Sequence, residues 1–147
     1  MEAKKIIITG SATRIGAEIA KSLASYDTQI TLHYNKSSIE VKKLKNYLEN
    51  LGSKVFLIKA DLSKLMQTKK IVPFAYKMMK GLDCLINNAS VFEKDDLTSF
   101  NEKSFNRHMI VNLHSPAILT QDFKKYLKFK KGNIINIIDQ RIFKLTP

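Results

Sequence analysis

The sequence has one cysteine, no tryptophan, three prolines and five glycines in 147 residues. The single cysteine, Cys84, excludes an intrachain disulfide and a cysteine-based metal cage, and its place in an apolar run favours a core residue over a nucleophile. We expect no metal site. No apolar run is long enough for a membrane span, and the polar first residues lack a signal-peptide core, so we expect a cytoplasmic protein.

Acidic residues are also scarce: 13 Asp and Glu stand against 25 Lys and Arg, which gives a formal net charge of +12. This excess would raise the encounter rate with polyanions such as nucleic acids or phosphorylated cofactors. The lysines are scattered through every polar segment, however, and a solvated helix surface explains them more simply than a nucleic-acid interface. A non-enzymatic nucleic-acid-binding module is therefore the less favoured alternative.

Short apolar runs rich in Ile, Leu and Val alternate with longer stretches of helical period. This pattern is typical of a parallel sheet with crossover helices. The predicted strands cover residues 4–9, 29–34, 54–60, 82–87 and 133–139. The usual doubly wound topology gives the strand order 3-2-1-4-5 in an α/β, Rossmann-type fold, with residues 1–147 forming a single, incomplete domain.

The stretch after the second strand carries an apolar stripe of helical period over residues 41–51. Ser37 and Glu40 predict a capping box at the start of this helix. Gly52 is predicted to end it.

A second predicted capping box, Ser99 with Glu102, opens a long helix that runs towards residue 127. The fifth strand is apolar on both faces and would form an edge of the sheet. We therefore expect the chain to form a homo-oligomer through this strand or through the long helix.

The run KKIIITGSATRIG joins the first strand to a helix through a tight turn. Gly10 allows a sharp turn and Gly16 allows the helix to pack close to the sheet, which leaves backbone amides and the helix dipole for a pyrophosphate. Arg14 and Ile15 complete the motif, and Arg14 replaces a middle glycine with a cation beside the phosphates. Alternatively, Arg14 is merely exposed on the first helical turn.

The second strand ends in His33-Tyr34-Asn35-Lys36-Ser37. A fold that prefers NAD usually carries a carboxylate here for the ribose 2′-hydroxyl, and none is present. Lys36 and Ser37 instead suit a 2′-phosphate, so NADPH is the predicted cofactor. After the third strand, Asp61 and Leu62 are placed to meet an adenine, although Asp61 also fits an ordinary loop cap.

Asn87-Asn88-Ala89-Ser90 closes the fourth strand. Ala89 would let the backbone approach the cofactor, and the asparagine amides would tie neighbouring strand ends together. Farther along, Pro116 cannot donate to the carbonyl of Asn112 in a regular helix. This predicts either a simple kink or a free carbonyl that holds a water for proton relay.

Together, TGSATRIG, DL after the third strand, NNAS and VNLHSPAIL resemble the short-chain dehydrogenase/reductase family across the whole chain. The arginine in the glycine turn, HYNKS, and Asn88-Ala89-Ser90 followed by Phe92 resemble its pteridine reductase branch. This resemblance implies that the tripeptide contacts the cofactor, that Phe92 stacks on a pterin ring, and that Asp139 stands where the wider family has a catalytic serine. By sequence pattern alone, Phe92 is equally a loop aromatic packed under the helix.

The family protonates its substrate with a tyrosine activated by a lysine four residues later, both beyond the strand that precedes Asp139. The 147 residues stop before them, and Tyr126 and Lys130 have this spacing but precede the fifth strand. A positioned proton donor contributes roughly 10²- to 10⁴-fold in rate. The resemblance therefore implies the NADPH-binding part of a reductase for a small pteridine-like substrate, inactive alone or completed by a second chain.

Overall fold

The structure is a computed structural model that describes residues 4–93, 96, 98–128 and 130–139. In chain order its elements are β1 (Lys4–Ile8), α1 (Arg14–Leu23), β2 (Thr28–Tyr34), α2 (Ser38–Asn50), β3 (Lys54–Lys59), α3 (Leu65–Thr68), α4 (Ile71–Met79), β4 (Cys84–Asn87), α5 (Glu102–Met109), a π-helical turn (Ile110–His114), α6 (Ser115–Leu127) and β5 (Asn133–Asn136). The strands form one parallel sheet in the order β3-β2-β1-β4-β5, which confirms the predicted Rossmann-type topology.

The strand order reverses at β1, in the centre of the sheet. Ile8 of β1 lies opposite Leu32 of β2 on one side and opposite Ile86 of β4 on the other. The connections that follow β1 and β4 therefore lead to helices on opposite faces of the sheet, and in doubly wound folds the binding crevice lies outside the carboxyl ends of the strands at this point. Doubly wound folds bind ligands in this crevice, so the candidate site is expected there.

Helices cover both faces of the sheet, and each face has its own hydrophobic core. Ile7 of β1 points into a core shared with α4 and α6, which contains Leu119 and Phe123. Ile6 and Ile8 point into the opposite core, which is shared with α1 and α2. Burial of each such side chain stabilises the fold by roughly 1.5–3 kcal/mol. The two cores therefore fix the carboxyl ends of the central strands, where the candidate site lies.

The strand bounds differ from the predicted ones by one to three residues. β1, β3 and β5 end early, β2 begins one residue early, and β4 begins two residues late. The largest difference is in β5, which ends at Asn136 rather than at Asp139. β4 itself ends at Asn87, whose carbonyl accepts a hydrogen bond from the amide of Ile137, so β5 has no partner strand beyond that point.

The two ends of α2 match the prediction unequally. Ser37 is the N-cap residue, but its side chain makes no capping hydrogen bond, so the predicted capping box with Glu40 is wrong. The backbone of Ser37 has ψ 64°, and a capping hydroxyl needs an extended residue to reach the first turn. Gly52 does end the helix: it has φ 92°, and Ser53 donates to the carbonyl of Leu48 over 3.1 Å.

The helix α5 begins at a different cap from the predicted one. Asn101 is the N-cap, and its side-chain oxygen accepts a hydrogen bond from the amide of Ser104 over 2.8 Å. Ser99 instead donates its amide to the carboxylate of Asp96 over 2.9 Å. The predicted box of Ser99 with Glu102 is therefore wrong, because Ser99 is used in the preceding turn and the extended backbone needed for a cap occurs at Asn101.

The long helical segment is continuous but contains a π-helical turn just before Pro116. The π-helical turn precedes α6, and the amide of Ser115 donates to the carbonyl of Ile110, five residues back. Pro116 then lies in the first turn of α6, where its missing amide is tolerated. The sequence predicted either a kink or a free carbonyl at Asn112, and the structure has a π-helical turn at this point; the proposed role of the carbonyl in proton relay stays a prediction.

Two apolar surfaces remain exposed on the described part of the chain. Phe105, Met109 and Leu113 recur every four residues along the helical segment and are each at least 41% exposed. Ile134 and Ile135 of β5 are 38% and 45% exposed. The prediction of self-association rests on these surfaces and stays a prediction. Within the described ranges, no helix combines the length and apolar character needed to cross a membrane.

Candidate cofactor site

Two glycines let the turn after β1, the start of α1 and the loop after β4 touch one another. Gly10 has φ 60°, and a Cβ at this position would lie 2.8 Å from the Cα of Ala89. A Cβ on Gly16 would lie 2.4 Å from the carbonyl oxygen of Gly10 and 2.5 Å from Nδ2 of Asn88. Real Cβ atoms do not approach so closely, so both positions require glycine. The turn is thus a close-packed cradle at the sheet's reversal point.

The amino-terminal end of α1 carries no competing anion. Thr13 is its N-cap residue and makes no side-chain capping hydrogen bond, and the first turn contains no acidic residue. Gly16 and Ala17 are buried against the sheet, whereas Arg14 and Ile15 are exposed. A helix start with available amides and a favourable dipole is an anion-binding site, and phosphate groups are its usual ligands.

Arg14 adopts a backbone conformation that suits glycine. Its φ is 55°, in the left-handed region, although it is the first residue of α1. For a residue with a Cβ this conformation costs roughly 1–2 kcal/mol. The sequence motif showed the substitution of a middle glycine but not this strain. A strained non-glycine residue at a candidate phosphate site points to a role for the side chain.

Asn88 and Thr9 lock the cradle to β4. Oγ1 of Thr9 accepts hydrogen bonds from the amides of Asn88 and Ala89, each at 3.0 Å. Nδ2 of Asn88 donates to the carbonyls of Thr9 and Gly10 at 2.9 and 3.1 Å. Nδ2 of Asn87, the last residue of β4, donates to Oδ1 of Asn136 in β5 at 2.9 Å. The asparagine amides therefore tie the strand ends together as predicted.

His33 is a central residue of the site that the sequence reasoning missed. It is 2% exposed, its Nδ1 accepts the amide of Gly10 at 3.2 Å, and its Nε2 lies 3.0 Å from the carbonyl of Ala60. An amide can only donate and a carbonyl can only accept, so the ring is neutral with its proton on Nε2. Burial lowers the pKa of His33 to about 4, although the hydrogen bond to Ala60 and the charge of Asp61 act in the opposite direction.

The carbonyl of His33 also accepts the amide and the hydroxyl of Ser11, at 3.0 and 3.1 Å. One residue thus joins the glycine turn to the ends of β2 and β3. The sequence signal for His33 was a polar ring in an otherwise apolar strand, at the carboxyl edge of the sheet that also carries Gly10.

The segment predicted to meet the ribose lies at the same edge. Tyr34 is half-buried and its carbonyl accepts the amide of Ala60 at 3.0 Å. Asn35 and Lys36 are exposed, and Ser37 is half-buried at the start of α2. These four residues carry a cation and no carboxylate, so the charge pattern predicted from sequence is presented to solvent beside the cradle.

Asp61 and Leu62 follow β3 and are used in different ways. Oδ1 of Asp61 accepts the amide and the hydroxyl of Ser63 at 3.0 and 2.7 Å, which is the loop cap considered from the sequence. Partial burial alone would raise the pKa of Asp61, but the bonds from Ser63 and the charges of Lys64 and Arg107 outweigh it and lower the pKa. Leu62 is 5% exposed and packs in the core.

The burial of Leu62 limits the contact predicted for it. Its side chain cannot meet an adenine, and its carbonyl accepts the hydroxyl of Ser115 at 2.6 Å. Any adenine contact by Leu62 is left to its backbone amide. The adenine contact of Asp61 stays a prediction, and its side chain is only partly buried.

The loop after β4 is held by Asn112 from the π-helical turn. Oδ1 of Asn112 accepts the amide of Val91 and its Nδ2 donates to the carbonyl of Val91, both at 2.9 Å. Ser90 is exposed, and Phe92 is 78% exposed. The alternative that Phe92 packs under the helix is therefore wrong for the described residues. Its ring is presented to solvent at the edge of the crevice.

The other candidate residues divide between this edge and the rest of the fold. Asp139 lies three residues beyond β5, past the carboxyl ends of the strands, and is exposed. Tyr126 packs against Tyr76 with ring centroids 5.0 Å apart. It lies at the carboxyl end of α6, near the amino ends of the strands, so it cannot act as a proton donor at the crevice. Burial raises the pKa of the Cys84 thiol, as suits the predicted core residue.

A parallel sheet with a glycine cradle at its reversal point defines a dinucleotide-binding protein of the Rossmann class. The family model described as short chain dehydrogenase matches residues 4–141, and the chain belongs to this family.

Relatives and solved structures are similar to most of this chain. An uncharacterized oxidoreductase of Methylorubrum extorquens is 31% identical over 137 residues, which are 93% of this chain and 55% of that protein. The structure of FolM alternative dihydrofolate reductase 1 from Brucella canis, complexed with NADP, is 34% identical with a TM-score of 0.89, covering 97% of this chain and 58% of that one.

A short chain dehydrogenase from Burkholderia cenocepacia, in complex with NADP, has a TM-score of 0.92 at 24% identity, which shows likeness of fold. The match covers 99% of this chain and 59% of that structure. The chain thus spans about half the length of the curated relatives it matches and somewhat more of the solved structures.

Proposed function

We propose that these 147 residues form the NADPH-binding part of a reductase that resembles pteridine reductases. The observation that carries this proposal is the cradle, in which Gly10 and Gly16 leave no room for a Cβ and the start of α1 bears no anion. The residues present fit a dinucleotide: the α1 amides and Arg14 for the pyrophosphate, and Lys36 with Ser37 for the 2′-phosphate. The similar structure from Brucella canis is a complex with NADP.

Lys36→Glu is expected to reverse the cofactor preference. The substitution removes a charge-assisted bond to the 2′-phosphate and places a carboxylate where NAD-preferring folds carry one. We expect the Kd for NADPH to rise about 10- to 100-fold and the Kd for NADH to stay level or fall. Titration of each cofactor by fluorescence or calorimetry measures both values.

Lys43→Glu is the matched control, because Lys43 is an exposed residue of α2 and the net charge changes equally. Equal weakening by both substitutions would show a general charge effect and would contradict a 2′-phosphate site at Lys36.

Arg14→Gly is expected to separate stability from binding. Glycine adopts φ 55° without strain, so the free energy of unfolding should stay level or rise by about 1 kcal/mol. The loss of the cation should weaken NADPH binding about tenfold. Chemical denaturation and NADPH titration are the two measurements.

Lys80→Gly is a matched control, because Lys80 also has φ 55° but ends α4, on the far side of the sheet from the cradle. It should relieve similar strain and leave NADPH binding unchanged. An Arg14→Gly variant that binds NADPH as well as the parent chain would remove Arg14 from the site.

We further propose that the substrate is a flat pteridine-like ring that stacks on Phe92. Support comes from the 78% exposure of this ring at the crevice and from the dihydrofolate reductase named among the similar structures. NADPH, when bound, would supply the hydride. The backbone of Asn112 and the carboxylate of Asp139 are the proposed catalytic groups of this chain, and neither supplies the tyrosine proton donor of the family.

Taken by themselves, these 147 residues are therefore proposed to bind NADPH without turning it over, since residues 137–147 contain no tyrosine. A second chain that adds the missing groups is the alternative, and the exposed apolar edge at Ile134 and Ile135 favours it. Mixing the chain with a separately produced carboxyl-terminal piece should then restore NADPH oxidation with dihydropteridine. Absence of oxidation from the mixture would remove this alternative.

A further inference from the structure

The Phe92 ring is largely exposed, but the loop residues on either side of it are hydrogen-bonded to the helical segment. We call residues 90–93 the Phe92 loop. Phe92 is 78% exposed, so its own packing does not determine where the ring points. Any fixed orientation of the ring must come from the backbone of its neighbours, Val91 and Glu93.

Val91 is fixed by Asn112, which makes one hydrogen bond to its amide and one to its carbonyl, both at 2.9 Å. Glu93 is fixed by a second set of groups. Its amide donates to Nε2 of His108 at 2.9 Å, and its carboxylate forms an ion pair with Arg107. The hydroxyl of Ser104 donates to the same carboxylate at 3.3 Å.

The side chain of His108 is held in the form that this bond requires. Its Nδ1 lies 2.8 Å from the carbonyl of Ser104, which can only accept, so Nδ1 carries the proton and Nε2 is an acceptor. His108 and Asn112 are four residues apart and therefore lie on the same helix face. One face of the helical segment thus holds the backbone on both sides of Phe92.

The ion pair is the weaker part of this anchor. The side chains of Arg107 and Glu93 are 46% and 43% exposed, and exposed pairs contribute little on their own. The bond from the amide of Glu93 to His108 acts on the backbone directly. We therefore regard His108 as the principal anchor on this side, with Arg107 and Ser104 orienting the Glu93 side chain.

We propose that His108, assisted by Glu93 and Arg107, is a positioning residue that presets Phe92 for a flat heteroaromatic substrate. Presetting the ring lowers the ordering cost of binding. This inference rests on the proposed function, because it names residues that prepare the substrate side of the same site. His108 acts on the substrate only through the Phe92 loop.

The test uses a reporter at the ring itself. The chain contains no tryptophan, so Phe92→Trp introduces a single one, which can still stack and can be excited separately from the five tyrosines. In this background, His108→Leu removes the acceptor, whereas His108→Gln retains one at the same reach. His114→Leu is the control, because His114 is exposed on the same helical segment. Arg107→Gln is a second variant that leaves the bond to His108 intact.

Three measurements are made on each variant with NADP⁺ present, because its nicotinamide, unlike that of NADPH, does not absorb tryptophan emission: exchange of the Glu93 amide, emission anisotropy, and energy transfer to added biopterin. We expect His108→Leu to speed exchange, lower the anisotropy and raise the Kd for biopterin about tenfold, with NADPH binding unchanged. His108→Gln should restore all three to near the parental values, and Arg107→Gln should have a smaller effect.

The outcomes separate the two proposals. A parental reporter that binds NADPH but gives no transfer to biopterin overturns the pteridine part of the proposed function, and this inference with it. Transfer that is present and indifferent to His108→Leu overturns the inference alone. Faster exchange at Glu93 without weaker biopterin binding shows a merely structural anchor and also overturns it.

Discussion

Gly16→Val is expected to abolish saturable NADPH binding and to destabilise the fold strongly. A Cβ at this position would overlap the carbonyl oxygen of Gly10 and Nδ2 of Asn88, at 2.4 and 2.5 Å. Neither atom can retreat freely, because the two are hydrogen-bonded to each other. The start of α1 must therefore move away from the sheet, and the amides proposed for the pyrophosphate move with it.

The stability loss combines two effects. Overpacking costs roughly 1–3 kcal/mol, and loss of the bonds from Asn88 adds about 1–3 kcal/mol. We therefore expect the free energy of unfolding to fall by about 2–6 kcal/mol in denaturant titrations. Ser22→Val is the control, because it places the same β-branched side chain on an exposed position of α1. A Gly16→Val variant that binds NADPH like the control would contradict the cradle.

Acidification is expected to destabilise the fold through His33. Its pKa is lowered from 6.5 to about 4 in the folded chain by burial. Below pH 6.5, His33 binds a proton in the unfolded chain but not in the folded chain. The free energy of unfolding therefore falls as the pH drops from 6.5 to 4. The shift corresponds to about 3 kcal/mol over this window. Denaturant titrations at a series of pH values measure it.

His33→Gln should remove this pH dependence between pH 6.5 and 4, because the amide side chain does not titrate. It should also lower stability at neutral pH, since glutamine is not isosteric with a buried ring. His114→Gln, at an exposed histidine, should keep the parental pH dependence. Equal slopes for the parent and for His33→Gln would show that another group carries the acid sensitivity.

The sheet order and the cradle could be predicted because their signals are local. The β-branched run, the turn at Gly10 and the helix start near Gly16 all lie within 13 residues. The strand order follows from general topology rules. The tie between Asn88 and Gly10 was also predicted, although 78 residues separate them, because both lie at carboxyl ends of neighbouring strands.

Other features depend on conformations that the sequence does not specify. The caps at Ser37 and Asn101 were decided by which residue has an extended backbone, so a matching pair of residue types was insufficient. The strain at Arg14 needs a φ value. The hydrogen bond from Glu93 to His108 joins residues 15 positions apart in the sequence, and no periodicity predicts such a pairing.

His33 shows the same limit in the core. Its two ring nitrogens meet residues 23 positions before it and 27 positions after it, and only the assembled sheet brings these together. In the sequence it is one polar residue at a strand end.

The central claim is that the glycine turn, the end of β2 and the loop after β4 bind NADPH together. Hydrogen exchange of the 147-residue chain with and without saturating NADPH tests this most directly. We expect slower exchange over residues 9–17, 34–38 and 88–91, with little change in β5 and α4. Unchanged exchange in the first of these segments, at NADPH concentrations that saturate the similar reductases, would contradict the claim.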